Sequence, residues 1–254
     1  MKIIDVNCGI GKGKMLRPLR YTDLPGMLAW LDDNGIAEAV AFHSDAARDP
    51  ESGNARMLQV CAASGGRLKP CLVVDPSLSS LGIPGEGSVI QRLRTARPAA
   101  LRTFHADQKY PFTSFFAGHI LEAARQLRLP VIVSPPYKPL RTFFPALVSV
   151  CAEYPEVPFV LLRTGFNRSR VIFPILEQLK NVYFDISTML DCGQIDEITD
   201  RFGSRNLLFG SGLPTYEPSG ALGLLYYSSV TQEDRENIAF RNWERLEGGI
   251  CFDD

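Results

Sequence analysis

Residues 1–13 read MKIIDVNCGIGKG, an apolar run at residues 2–6 followed at once by a polar, glycine-rich turn. The run is continuous rather than alternating, which marks a strand buried on both faces, as in a parallel sheet. The unit recurs along the chain. Further β-rich runs fall at residues 36–43 (IAEAVAFH), 67–75 (RLKPCLVVD), 98–104 (PAALRTF), 129–134 (LPVIVS), 157–162 (VPFVLL), 181–186 (NVYFDI) and 206–209 (NLLF). Amphipathic segments separate them. Thr22 and Asp23 offer N-cap chemistry for a helix stopped by Asn34-Gly35, and Gly65-Gly66 ends a helix over residues 49–64. Further helices are expected near residues 89–96, 114–127, 141–154, 169–180 and 194–202, with 220–229 and 232–246 closing the chain. Eight strands alternating with helices predict an α/β fold of the (β/α)8 TIM-barrel type, with residues 1–254 as a single domain. An open doubly wound sheet would carry a G-x-G-x-x-G turn after its first strand, and Gly9-Ile10-Gly11-Lys12-Gly13 does not have that spacing.

Composition narrows the function classes. With 254 residues, 45% hydrophobic, 22% charged and a net charge of −1, the chain has material for one large core. Near-neutral charge gives no general pull towards nucleic acid or an anionic membrane, so neither is an expected partner. No apolar run approaches the roughly 20 residues of a membrane span. The charged second residue and the short run at 3–6 do not make a signal peptide. Six cysteines, at 8, 61, 71, 151, 192 and 251, show no CxxC pairing and read as reduced thiols, which points to the cytoplasm.

In an eight-stranded barrel the working face is the rim at the C-terminal strand ends. That rule yields Asn7, His43, Asp75, Arg102, His105, Ser134, Arg163, Asp185, Ser187 and Ser211. Arg163 has two open readings: a structural arginine bonded to rim carbonyls or Asp185, or a cation awaiting an anionic ligand. Arg102 and His105 share that ambiguity. Asn7 either orients a ligand or caps its loop, and Ser134 is a polar pocket residue without an identifiable base. Cys8 reads as a packed thiol rather than a nucleophile. His43 is either a general base or a satisfied core histidine. Lys12, Lys14, Arg17 and Arg20 read as a solvated basic surface or, alternatively, a ligand clamp.

Several longer stretches carry a resemblance. IDVNCGIG at 4–11, LPVIVSPP at 129–136, PEVPFVLLRTG at 155–165, NVYFDIS at 181–187, RNLLFGSGLP at 205–214 and EDRENIAFRNWERL at 233–246 follow one another in order. Together they resemble the amidohydrolase-related (amidohydrolase 2-type, decarboxylase- and lactonase-like) TIM-barrel family. That family opens with an IDxHxHxG-like strand and includes decarboxylases of aromatic or muconate-type acids. The resemblance places its metal-binding histidines at Asn7, Gly9, Ser134 and Arg163, and its eighth-strand aspartate at Gly212. Zinc and similar ions need three or four imidazole, thiolate or carboxylate donors. The expectation is therefore a chain without a metal or other cofactor.

Three functions stay open. The first is a pseudoenzyme that binds a small anionic or carbonyl-bearing molecule through Asn7, Arg102, His105, Ser134 and Arg163. The second is a metal-independent hydrolase or lactonase acting on a small carboxylated substrate, with His43 and His105 as candidate catalytic residues. The third is a structural subunit paired with an active paralogue; the resemblance also implies pairing of two copies through outer helices.

Overall fold

The computed structural model describes residues 1–12, 22–135, 140–165, 168–216 and 218–253. Its strands are β1 (Ile4–Ile10), β2 (Glu38–His43), β3 (Leu68–Val74), β4 (Ala100–Thr103), β5 (Val131–Val133), β6 (Phe159–Leu161), β7 (Val182–Asp185) and β8 (Leu207–Leu208). They pair in parallel in the order of the chain. The seam between the last and first strands is bridged by Val6 N–H to the Phe209 carbonyl and Gly212 N–H to the Asn7 carbonyl, each at 3.0 Å. The fold is the expected (β/α)8 barrel.

Helices α1 (Leu24–Asp33), α2 (Pro50–Ala63), α3 (Val89–Ala96), α4 (Ser114–Leu127), α5 (Leu140–Glu153), α6 (Ser169–Gln178) and α7 (Gln194–Phe202) fill the connections, and α8 (Pro218–Tyr227) follows β8. Their ends obey local chemistry. Asp23 caps α1 by accepting the Gly26 N–H at 2.9 Å, and Gly35 continues past its end at φ 65°. Among the described residues, no helix is long and apolar enough to cross a membrane.

Two layers of apolar side chains separate along each strand. Ile4, Val40, Ala100, Ile132, Tyr183 and Leu208 fill the barrel interior. Their neighbours, such as Ile3, Ala39, Leu101 and Val131, face the helices. At the N-terminal end, Trp243 and Leu246 of α10 (Asn242–Glu247) join the interior cluster as a floor. Ion pairs Lys2–Glu244 and Lys69–Glu247, both 2.9 Å, tie that helix to the strands.

The single helix expected over residues 232–246 is in fact α9 (Gln232–Glu236), a π turn (Asn237–Arg241) and α10. The cause is tertiary. The Ile238 carbonyl accepts the Phe209 N–H at 2.9 Å, so it serves the barrel instead of the regular helical ladder. One turn later the buried Asn242 donates to the carbonyls of Ser204 and Leu207, each at 2.8 Å.

A second irregularity positions the site. β1 pairs Ile4 with Glu38 and Asp5 with Ala39, but then Cys8 with Ala41, so β1 carries one extra residue. This bulge reverses the inward–outward alternation. Ile4 and Val6 point into the barrel before it, whereas Cys8 and Ile10 pack among the helices after it. Asn7 and Gly9 therefore face inward.

Candidate functional site at the barrel mouth

The inward-facing positions nearest the C-terminal rim are polar where the positions beneath them are apolar. Ala100 gives way to Arg102, Ile132 to Ser134, and Tyr183 to Asp185 and Ser187. Burying such groups costs free energy unless they are hydrogen-bonded. Asp185 is fully buried, and three donors converge on it: Asn7 Nδ2 at 3.0 Å, the Arg163 backbone N–H at 3.0 Å, and the Ser187 hydroxyl in a short contact. Asn7 in turn accepts from Arg102 Nη1 at 3.2 Å. A chain of contacts thus runs from β4 through β1 to β7 and the end of β6. Burial nevertheless raises the Asp185 carboxyl pKa above its ordinary value, against the pull of these donors.

Asp5 anchors the bulge beside this chain. Its Oδ1 accepts the backbone N–H groups of Asn7 and Ser211, both at 2.9 Å, which links β1 to the residues after β8. Complete burial raises its pKa from 3.8 to about 6.

Arg102 is 7% exposed, and its Cζ lies 4.2 Å from the Phe42 ring centroid and 5.0 Å from that of Phe104. Burial lowers its pKa to about 10, with the charge of Arg163 acting in the same direction, so it stays a cation at neutral pH. Arg163 takes a left-handed backbone, φ 56°, and donates from its guanidinium to the Pro135 carbonyl at 3.3 Å. Arg163 is tied to Asp185 through its backbone N–H. Arg168, just before α6, is a further cation of this cluster. Burial and Arg163 both lower its pKa, and its Nη1 is buried without a hydrogen-bond partner.

His105 is 4% exposed and stacks on Phe143 at 5.2 Å and 8°, with Tyr110 and Phe112 around it. Among the described residues, neither ring nitrogen has a hydrogen-bond partner. Burial, with Arg163 adding to it, drives its pKa down to about 4, so the imidazole is neutral at pH 7.

The structure brings Asn7, Arg102 and Arg163 together around Asp185. It puts His105 within the field of Arg163 and buries Ser134 at the end of β5. His43 stands apart. It lies on the outward phase of β2, its Nδ1 accepts the Asp45 N–H at 3.2 Å, and it caps a 3-10 turn (Ser44–Ala47) that the sequence did not announce. Asp75 is likewise occupied locally, accepting from the N–H and hydroxyl of Ser77 at 2.9 and 2.7 Å. The Cys8 thiol packs outward against Met27 Sδ at 3.8 Å. Lys14, Arg17, Arg20 and Pro136 lie outside the described residues. Arg168 is the functional candidate that sequence reasoning missed; its signal was a basic residue in the connection after the sixth strand.

The five positions where the sequence resemblance places the family's ligands hold a carboxamide, a hydroxyl, a guanidinium and two glycines, none of them an imidazole, thiolate or carboxylate donor. Among the described residues no group of three or more His, Cys, Asp or Glu could hold a metal ion. Neither glycine position has room for a ligand. A Cβ at Gly9 would stand 2.7 Å from the Phe42 ring and 2.9 Å from Pro214. Gly212 has φ +77°, and a Cβ there would meet Tyr216 at 2.7 Å.

An amidohydrolase family model (Amidohydro_2) matches residues 11–246, from just past Asn7 and Gly9 to the end of the barrel. This chain belongs to the amidohydrolase family. No curated protein matches the sequence significantly. Among solved structures, an uncharacterized TIM-barrel protein from Bordetella bronchiseptica superposes with a TM-score of 0.77 at 15% identity, covering 98% of this chain and 99% of the other. 5-Carboxyvanillate decarboxylase from Sphingomonas paucimobilis gives 0.71 at 13%, covering 97% and 99%. Dihydroxybenzoic acid decarboxylase from Polaromonas sp. JS666, solved with bound manganese and the inhibitor 2-nitroresorcinol, gives 0.70 at 13%, covering 97% and 96%. At these identities the likeness is one of fold.

Proposed function

We propose that this amidohydrolase-family barrel binds a small anionic molecule at its mouth without a metal ion, as a pseudoenzyme. One observation carries the reading. Arg102, Arg163 and Arg168 stand close enough that the charge of Arg163 disfavours the charge on each of the other two, while Asp185 supplies the adjoining buried carboxylate. Mutual repulsion among cations in a partly desolvated site is relieved when an anion arrives, so an anion gains most there. A neutral His105 adds a hydrogen-bonding group but no charge.

The alternative, a metal-independent hydrolase, needs a base at the mouth. His105 at about pKa 4 is a weak one, and the imidazole of His43 is engaged at Asp45. The binding reading therefore stands first.

Elemental analysis and a thermal-shift screen test it together. The purified chain should carry well under one zinc or manganese per molecule. Small mono- and dicarboxylates, sugar acids or phosphate should stabilise it, with ~2.7 kcal/mol available at a hundredfold excess over Kd. Arg163→Ala should remove most of that stabilisation. A stoichiometric metal, or anion stabilisation indifferent to Arg163, would overturn the reading.

A further inference from the structure

The arginines at the mouth are not equivalent, and Arg67 supplies the standard for comparison. Arg67 has every guanidinium nitrogen committed: Nε to the Ala37 carbonyl at 2.6 Å, Nη2 to the Ile36 carbonyl at 2.9 Å, and Nη1 to Asp32 at 2.7 Å. That is what a purely structural arginine does. Arg102 is more deeply buried, yet among the described residues its one hydrogen bond is Nη1 to Asn7. Its Nε is enclosed and has no partner among the described residues. A buried donor left unpaired costs about 1–3 kcal/mol, so a fold that keeps one invites a partner from outside.

What braces Arg102 is equally specific. Asn7 and Gly9 are the two positions where the family pattern places its first pair of metal-binding histidines. Asn7 holds Arg102 by Nη1. The absence of a side chain at Gly9 makes space for the Phe42 ring, and that same ring carries the guanidinium at 4.2 Å. Both altered positions therefore support one cation.

We propose that the Arg102 guanidinium is a built-in cation standing in the neighbourhood of the family's metal ion, and that its unpaired Nε–Nη2 edge receives a carboxylate of the ligand. This rests on the anion-binding reading and gives it a chemical class. The Nε–Nη2 edge is the fork whose two parallel N–H bonds match the two oxygens of a carboxylate. The flanking rings decide between carboxylate and phosphate. Phe42 and Phe104 lie against the guanidinium, so a planar carboxylate lies coplanar with it and stays clear of them. A tetrahedral phosphate would push oxygens out of that plane towards the electron-rich ring faces.

The test is a calorimetric titration of the full-length chain with benzoate, succinate, inorganic phosphate and nitrate, in wild type, Arg102→Lys and Phe104→Leu. Wild type should bind a carboxylate probe more tightly than phosphate. Arg102→Lys keeps the charge but loses the fork, and should reduce the carboxylate-to-phosphate affinity ratio at least tenfold. A ratio does not depend on the fraction of folded protein, so a merely structural role would leave it unmoved. Where Arg102→Lys fails to fold, Phe104→Leu should still lower the ratio several-fold. Equal binding of phosphate and carboxylate by wild type, or an unchanged ratio in the variants, overturns the role of Arg102 and leaves the anion site standing. If none of the four anions binds, the anion site itself falls, and this inference with it.

Discussion

The floor and the mouth of this barrel are built from the same strands, two residues apart, and obey different rules. At the floor, Val40, Ala100, Ile132 and Tyr183 meet Trp243 in an interior that holds itself together by apolar burial. At the mouth, Arg102, Ser134 and Asp185 occupy the next inward positions, where each polar atom must find a partner. Several do not: Arg102 Nε, both nitrogens of His105 and Nη1 of Arg168. The floor has an unpaired polar atom of its own, Trp243 Nε1, set among apolar side chains, whereas those of the mouth sit on arginine and histidine. The two regions should respond differently to mutation.

The largest effect should come from the floor. Trp243→Ala should cost ~3–5 kcal/mol in urea denaturation, while the folded fraction keeps its anion affinity. A loss of affinity with intact folding would show that floor and mouth are coupled.

Next comes the seam beside the mouth. Because the Asp5 pKa is raised from 3.8 to about 6, the folded chain holds a proton that the unfolded chain has already released between those values. Stability contributed by this group should therefore fall as pH rises through that window, by about 3 kcal/mol in total, and level off above it. Asp5→Asn should lack the fall, so the mutant-minus-wild-type difference in unfolding free energy should grow from pH 4 to pH 6.5. A constant difference would mean that Asp5 ionises normally in the fold.

The smallest effect is expected outside the mouth. His43→Ala removes a cap and should cost ~1 kcal/mol with unchanged anion affinity. If affinity drops, the boundary of the site has been drawn too tightly.

The fold was legible because eight continuous apolar runs, separated by capped amphipathic segments, leave few other ways to bury them. The π turn was not, because residues 232–246 keep a helical pattern, and the diversion of the Ile238 carbonyl to Phe209 is a tertiary event. The site was half legible. Rim position brought out Asn7, Arg102 and Arg163, which do share contacts around Asp185. It also brought out His43, since a strand buried on both faces gives no alternation from which to read that His43 points outward. The β1 bulge was hidden for the same reason, although it alone turns Asn7 and Gly9 into the barrel.

The crowded space above Gly9 also bears on the routes by which this sequence can change. Placing any side chain there forces it into Phe42 and Pro214, and overpacking of that kind typically costs 1–3 kcal/mol. Shrinking Phe42 first removes the surface on which Arg102 rests. A side chain at Gly9 and a smaller residue at Phe42 are thus each costly alone, and only the two changes made together would open the space. The filled cradle works as a ratchet, holding Gly9 in place against single substitutions.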